Sequence, residues 1–124
     1  MANKQKESLK NPLITIVIGT LNRPSIVSSL IAEIETISSK IPLELLVIDQ
    51  SNRVNFQNLQ KLFPKKAHFK LVHFEQTNTC KYLNYGFRHA IAPIVLYLDD
   101  DVSITEKTVK THLKAYDDKT IYAV

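Results

Sequence analysis

Glycine and cysteine are scarce in this chain: 124 residues contain two glycines, Gly19 and Gly86, and one cysteine, Cys80. A single thiol excludes an intramolecular disulfide and fits a reducing compartment, so the cytoplasm is the expected location. Two glycines cannot build a glycine-rich phosphate cradle. The segment GTLNRP at residues 19–24 has neither the repeated glycines of a dinucleotide fingerprint nor the lysine of a P-loop. Long apolar runs are missing too. The apolar stretches are strand-sized, and the opening MANKQKESLK is charged throughout, so no secretory signal or bilayer span is expected, although attachment to a membrane surface stays open.

What is present is an ordinary globular composition, 44% apolar and 23% charged. Residues 1–10 are expected to be a polar tail and residues 11–124 one folded unit. The formal charge of +4 suits a phosphate-bearing partner without choosing among nucleotide, nucleic acid and anionic lipid. Lys65 and Lys66 are too short a basic run for a nucleic-acid footprint, and no basic stripe with interleaved aromatics exists, so no nucleic-acid partner is expected.

Apolar periodicity alternates between strand and helix. Residues 13–18, 43–48, 68–74 and 94–98 read as strands, the first two as runs buried on both faces. Pro24 opens a helical stripe of Ile26, Val27, Leu30, Ile31, Ile34 and Ile37. Phe56, Leu59, Leu62 and Phe63 suggest a short second helix. Cys80, Leu83, Phe87, Ala90 and Ile91 suggest a third, with Cys80 in its core-facing stripe. Ser103 and Glu106 read as a capping box for a fourth, carrying Val109, Leu113 and Tyr116. Residues 121–124 resemble the start of another strand. The alternation predicts an α/β fold: a mostly parallel sheet with helices on both faces.

In such a sheet, ligands bind beyond the strands' C-terminal ends. Four polar segments lie there: residues 19–24, DQSN at 49–52, EQTNTCK at 75–81 and DDDV at 99–102. Three adjacent carboxylates repel one another unless a cation is near, and a hard divalent ion with oxygen ligands answers that need. Side-chain alternation at a strand end sets Asp99 and Asp101 on one side and turns Asp100 away. Arg23 and Lys81, near helix starts, are candidates to neutralise phosphate. Asp49 is placed to accept hydrogen bonds from a base or ribose, and Gln50 beside it can also accept. His68, His73, His89 and His112 lack metal-ligand spacing and read as structural.

Taken in order, VIGTLNRP, LLVIDQSN, NTCKYLNYGFRHA and IVLYLDDDV resemble glycosyltransferase family 2 proteins with the GT-A fold, over residues 14–102. The resemblance implies the Rossmann-like, nucleotide-sugar-binding half of that fold. It maps nucleoside contacts onto Thr20, Asn22 and Asp49, and base or diphosphate contacts onto Asn78, Lys81 and Asn84. The family's DXD motif falls on Asp99, near the ribose, and on Asp101, at the metal, Mn²⁺ or Mg²⁺, that bridges the diphosphate. Asp100 is counted among the donor-binding residues. The implied reaction moves a sugar, with inversion, from a nucleoside diphosphate sugar to a hydroxyl of a glycan or lipid-linked acceptor, at the inner face of a membrane or in the cytoplasm. Many members carry paired aspartates after the second strand, where this chain has Asp49 then Gln50. The family's general base and acceptor half lie well downstream of the DXD motif, so the chain is expected to stop short of both.

Two other readings compete. A haloacid dehalogenase type phosphatase would use Asp99 and Asp101 as a nucleophile motif, although that motif normally opens its domain. A non-catalytic nucleotide-binding module would use the same edge without chemistry.

Overall fold

A computed structural model describes residues 11–121 and residue 123. They form β1 (Ile14–Thr20), α1 (Pro24–Ser38), β2 (Leu43–Asp49), α2 (Arg53–Leu62), β3 (Phe69–His73), α3 (Thr79–His89), β4 (Val95–Asp99) and α4 (Glu106–Ala115). The four strands make one parallel sheet in the order β3-β2-β1-β4. The tail expected at residues 1–10 lies outside the described residues. So do Tyr122 and Val124 of the strand expected at 121–124, and Ile121 itself is not in a strand.

The strand order has a physical cause. Right-handed crossovers carry β1 to β2 to β3 in one direction with α1 and α2 on one face; returning to the far side of β1 then puts α3 on the other. The core divides accordingly. Ile14, Ile16, Ile18, Leu43, Leu45 and Val47 face α1, α2 and α4 through Leu30, Ile34, Leu59 and Val109. Val17, Leu46 and Ile48 face Tyr82 and Tyr85 of α3. The central strands β1 and β2 are covered on both faces, as their unbroken apolar runs require. The outer strands are shorter and half-buried.

One carboxylate sits inside this core. Glu44 on β2 is fully buried beside its register partner Thr15. Its Oε1 accepts from the Thr15 hydroxyl at 2.7 Å and the Ile91 N–H at 2.9 Å, and Lys70 Nζ lies 3.5 Å from Oε2. Thr15 Oγ1 in turn accepts from the Ala92 N–H at 3.2 Å. Together they hold the connection from α3 into β4, so buried polarity fixes where the outer strand enters the sheet.

Two helix readings need correction. In α3 the stripe of Cys80, Leu83 and Phe87 is not the core face: Cys80 is exposed and Phe87 is 74% exposed. The opposite side, with Tyr82, Tyr85 and Gly86, lies against the sheet, because Gly86 lets the helix backbone approach Val17. The cap of α4 is Thr105, which accepts from Thr108 N and forms a capping box with it, two residues later than expected. Ser103 is otherwise engaged. Its hydroxyl donates to Glu33 Oε1 on α1 at 2.7 Å, and the next backbone N–H, of Ile104, donates to Oε2 at 2.8 Å.

Two stability predictions follow from these contacts. Thr15→Val keeps the shape but strips Glu44 and the Ala92 N–H of a partner, so urea unfolding should show a loss of about 1–3 kcal/mol. The Ser103 and Ile104 hydrogen bonds hold the Glu33 carboxyl below its ordinary value of 4.5. A depressed carboxyl stabilises the fold above its unfolded pKa, and that contribution fades as pH falls through the folded one. Glu33→Gln should therefore melt below wild type at pH 7, with the gap narrowing in acid below about pH 4.5; a gap constant from pH 7 to pH 3 would contradict this.

Candidate functional site

The direction of winding reverses at β1, so the loops after β1 and β4 part there and leave a crevice at the C-terminal edge of the sheet. Residues from all four polar segments meet along this edge, and they are tied to one another sideways.

The first tie crosses the crevice. Asp100 follows β4, is 3% exposed, and accepts from the Thr20 hydroxyl at the end of β1 at 2.9 Å. Arg23, just before α1, grips the same carboxylate with Nε at 3.2 Å and Nη2 at 2.5 Å. This is a two-point, charge-assisted contact of the kind guanidinium geometry favours. Asp100, expected among the donor-binding residues, has its oxygens on Thr20 and Arg23 and is buried from solvent. Arg23 is correspondingly a partner of Asp100 first. Its Nη1 lies only 3.9 Å from Asp101 Oδ2, and its side chain remains 47% exposed.

The expected alternation around Asp100 holds, with Asp99 and Asp101 exposed on either side of it. The charge balance nevertheless differs from that of three free carboxylates. Arg23 neutralises one of the three carboxylates, so two are left for a cation. Among the described residues no cluster of three or more His, Cys, Asp or Glu side chains is arranged to hold a metal ion. The donor set fits a different kind of site, in which two hard carboxylates share an ion with phosphate and water oxygens, as Mg²⁺ sites often do. Asp99 and Asp101 are the residues that would hold it.

The second tie joins the loops after β1 and β2. Asn22 adopts a left-handed backbone, φ 53°, which asparagine tolerates better than most residues. Its N–H donates to Ser51 Oγ at 2.6 Å, and its Oδ1 accepts from Asn52 N at 2.9 Å and Asn55 Nδ2 at 3.0 Å. Asp49 is 1% exposed. Its carboxylate is held by the Ser51 N–H at 3.1 Å, the Ser51 hydroxyl at 2.6 Å and His73 Nδ1 at 2.9 Å. The His73 ring stacks on Phe56 of α2 at 4.3 Å.

The third tie reaches α3. Gln50, also buried, donates from Nε2 to the Asn78 carbonyl at 2.9 Å, while the Asn78 side chain caps α3 by accepting from Lys81 N at 3.1 Å. Lys81 is exposed, its Nζ 5.7 Å from the Phe74 ring. Asn84 lies in the second turn of α3 and is exposed.

Thr20, Arg23, Asp99, Asp100 and Asp101 are thus gathered at the crevice, while Asn22, Asp49, Gln50 and Asn78 form the network behind it. Sequence reasoning missed Ser51 and His73, which orient Asp49. The signal was available for His73: it continues the period-two series of Phe69 and Leu71 on β3 and ends level with Asp49.

An open parallel sheet with two exposed acids at its switch point is an α/β fold with its crevice where such sheets bind ligands. Residues 15–124 match the family described as glycosyl transferase family 2. The chain belongs to that family, and the resemblance of its motifs is borne out. No curated protein matches it. Among solved structures it is similar to S. aureus TarS residues 1–349, with a TM-score of 0.67 and 22% identity over 84% of this chain and 32% of that one. The same TarS fragment in complex with UDP-GlcNAc matches with a TM-score of 0.66 and 23% identity over 84% and 31%. Its complex with UDP matches with a TM-score of 0.60 and 24% identity over 84% and 32%. The fold is therefore GT-A, and the chain spans about a third of the length of the TarS fragment. The phosphatase alternative is set aside by the family match and by the acid run following β4 rather than opening the sheet.

The three aspartates should separate cleanly by stability. Asp100→Asn weakens the contacts to Thr20 and Arg23 and should cost about 1–3 kcal/mol in denaturant unfolding. Asp99→Asn and Asp101→Asn alter exposed side chains and should stay within about 0.5 kcal/mol of wild type. Equal effects at all three positions would refute the assignment.

Proposed function

We propose that this chain is the donor-binding part of a metal-dependent, inverting glycosyltransferase that uses a nucleoside diphosphate sugar. The observation that carries the reading is the division of labour in residues 99–101. Arg23 and Thr20 hold the middle acid inward, and the two outer acids stand exposed at the switch point. A solvated acidic loop would have no reason to anchor its centre and expose its flanks as a pair.

Asp99 and Asp101 would hold Mn²⁺ or Mg²⁺ together with the donor diphosphate. When bound between Asp99 and Asp101, such an ion would supply Lewis acidity to offset negative charge on the diphosphate. The chain's own residues do the positioning. Thr20, Asn22, Asp49 and Gln50 serve the nucleoside side, and their hydrogen bonds to Asp100, Ser51, His73 and Asn78 hold that wall before the ligand arrives. Lys81, at the start of α3, adds positive charge on the diphosphate side, and Asn78 and Asn84 flank it. Transfer to a glycan or lipid-linked hydroxyl also needs a carboxylate base, and no residue of this chain is assigned to that role.

We place the protein in the cytoplasm or at the inner face of the membrane, since its lone thiol fits a reducing compartment. Among the described residues no helix is long and apolar enough to cross a bilayer. The TarS fragment binds UDP-GlcNAc and UDP, which makes uridine nucleotides the first probes.

Calorimetry with UDP, GDP and dTDP, each with and without Mn²⁺ or Mg²⁺, tests the reading. Metal-dependent binding of at least one diphosphate is expected, with Asp101→Asn weakening it at least tenfold. Failure of all three to bind in a metal-dependent way would sink the proposal.

A further inference from the structure

Both glycines of the chain serve one contact, and it leads to a residue that the motifs do not mark. Neither has a positive φ, so neither is required by backbone conformation. Each is required by approach. A Cβ on Gly86 would stand 2.7 Å from Val17 Cγ1, which shows how closely α3 lies against β1. A Cβ on Gly19 would stand 2.7 Å from Tyr82 Cζ and 2.8 and 2.9 Å from the two Cε atoms. The hydroxyl-bearing end of the Tyr82 ring thus lies on the bare backbone of Gly19.

Gly19 is the penultimate residue of β1, and its register partner on β4 is Asp99. The phenol is therefore set at the crevice, on the α3 side, level with the first exposed acid. Its environment agrees with that placement: burial raises the Tyr82 pKa first, and the charges of Asp99 and Asp100 raise it further, so the hydroxyl stays a hydrogen-bond donor at neutral pH. The neighbouring Tyr97 donates its hydroxyl to the Leu83 carbonyl at 2.8 Å. Among the described residues the Tyr82 hydroxyl bonds no protein group, and the backbone N–H of Tyr82 donates to the Asn78 carbonyl at the helix start. A half-buried phenol with no protein acceptor keeps its hydroxyl free to donate to a ligand oxygen that enters the crevice.

We propose that Tyr82 contacts the donor, its hydroxyl donating a hydrogen bond to a diphosphate oxygen of the nucleotide held at Asp99 and Asp101. This rests on the donor-site reading above and adds to it a residue outside the DXD motif. It also gives a reason for Gly19: any larger residue there would displace the ring.

Binding of UDP with Mn²⁺, followed by calorimetry, and of uridine, followed by NMR, tests the assignment. Tyr82→Phe keeps the ring and its packing, and a thermal melt will verify that the fold is intact. A hydrogen bond to a charged acceptor predicts that this variant binds UDP about tenfold more weakly or worse. Uridine, which lacks the diphosphate, should bind both proteins alike. Gly19→Ala keeps the hydroxyl but pushes the flexible ring end aside, so it should weaken UDP binding in the wild-type background and add little to Tyr82→Phe. UDP binding by Tyr82→Phe equal to wild type would overturn the inference while leaving the donor site standing. A loss of UDP and uridine binding in equal measure would overturn it too, by moving the contact off the diphosphate. Wild type that fails to bind UDP with Mn²⁺, alongside an equally inert Asp101→Asn, would instead remove the donor-site reading and this one with it.

Discussion

The contact on which the rest of the site depends is the grip of Arg23 and Thr20 on Asp100. It spans the one place in the sheet where adjacent strands, β1 and β4, are far apart in sequence and their following loops diverge. Without a link, that opening would be set only by the ladder between β1 and β4. With it, the end of β1, the start of α1 and the loop after β4 move as one body. Glu33 adds a second brace slightly further along, where the Ser103 hydroxyl and the Ile104 N–H bind it from the loop that leaves the acid run. The two exposed acids are thus flanked on one side by a guanidinium fork and on the other by a carboxylate clamp. Preorganisation of this sort removes much of the ordering cost that a ligand would otherwise meet.

The face carrying α3 is organised by a different economy. Glycine scarcity at first looks like a mere compositional fact that excludes phosphate cradles. In the structure it becomes positive information, because a chain with two glycines uses both to bring one helix against one strand. The same approach explains why the helix turned the other way from its apparent apolar stripe. Two tyrosines and a glycine on the sheet side give closer packing than Cys80, Leu83 and Phe87 would, and close packing was worth more than the nominal hydrophobicity of the stripe.

Much of the fold was legible. The unbroken runs of β1 and β2, the proline opening α1 and the strand-helix alternation led directly to a parallel sheet with helices on both faces, because each signal comes from local physics that the tertiary structure preserves. Legibility failed where a tertiary partner competed with a local rule. Ser103 looked like a cap, but Glu33 on a distant helix claims its hydroxyl, and Thr105 takes the role. Asp99, Asp100 and Asp101 look alike in sequence, and alternation correctly separated the middle one, yet nothing local announced that Arg23 would be its partner. Ser51 was invisible for the same reason, since its importance lies in reaching Asp49, whereas the place of His73 at the end of β3 could have been read from the strand's period.

On the proposed function, the separation of the acids has a consequence for how ligands bind. Two exposed carboxylates are too few oxygens for a divalent ion that favours six or more ligands, so the protein alone holds such an ion weakly. A diphosphate supplies the missing oxygens, and it in turn is held weakly without the ion, because no glycine-rich loop is present to replace it. Metal and nucleotide must then raise each other's affinity by the same factor, as linkage demands. Had Asp100 faced the crevice as well, a third carboxylate would have tightened the bare metal site and reduced that coupling. By drawing Asp100 inward, Arg23 would, on the proposed function, make the site respond to the ion and the diphosphate together rather than to either alone.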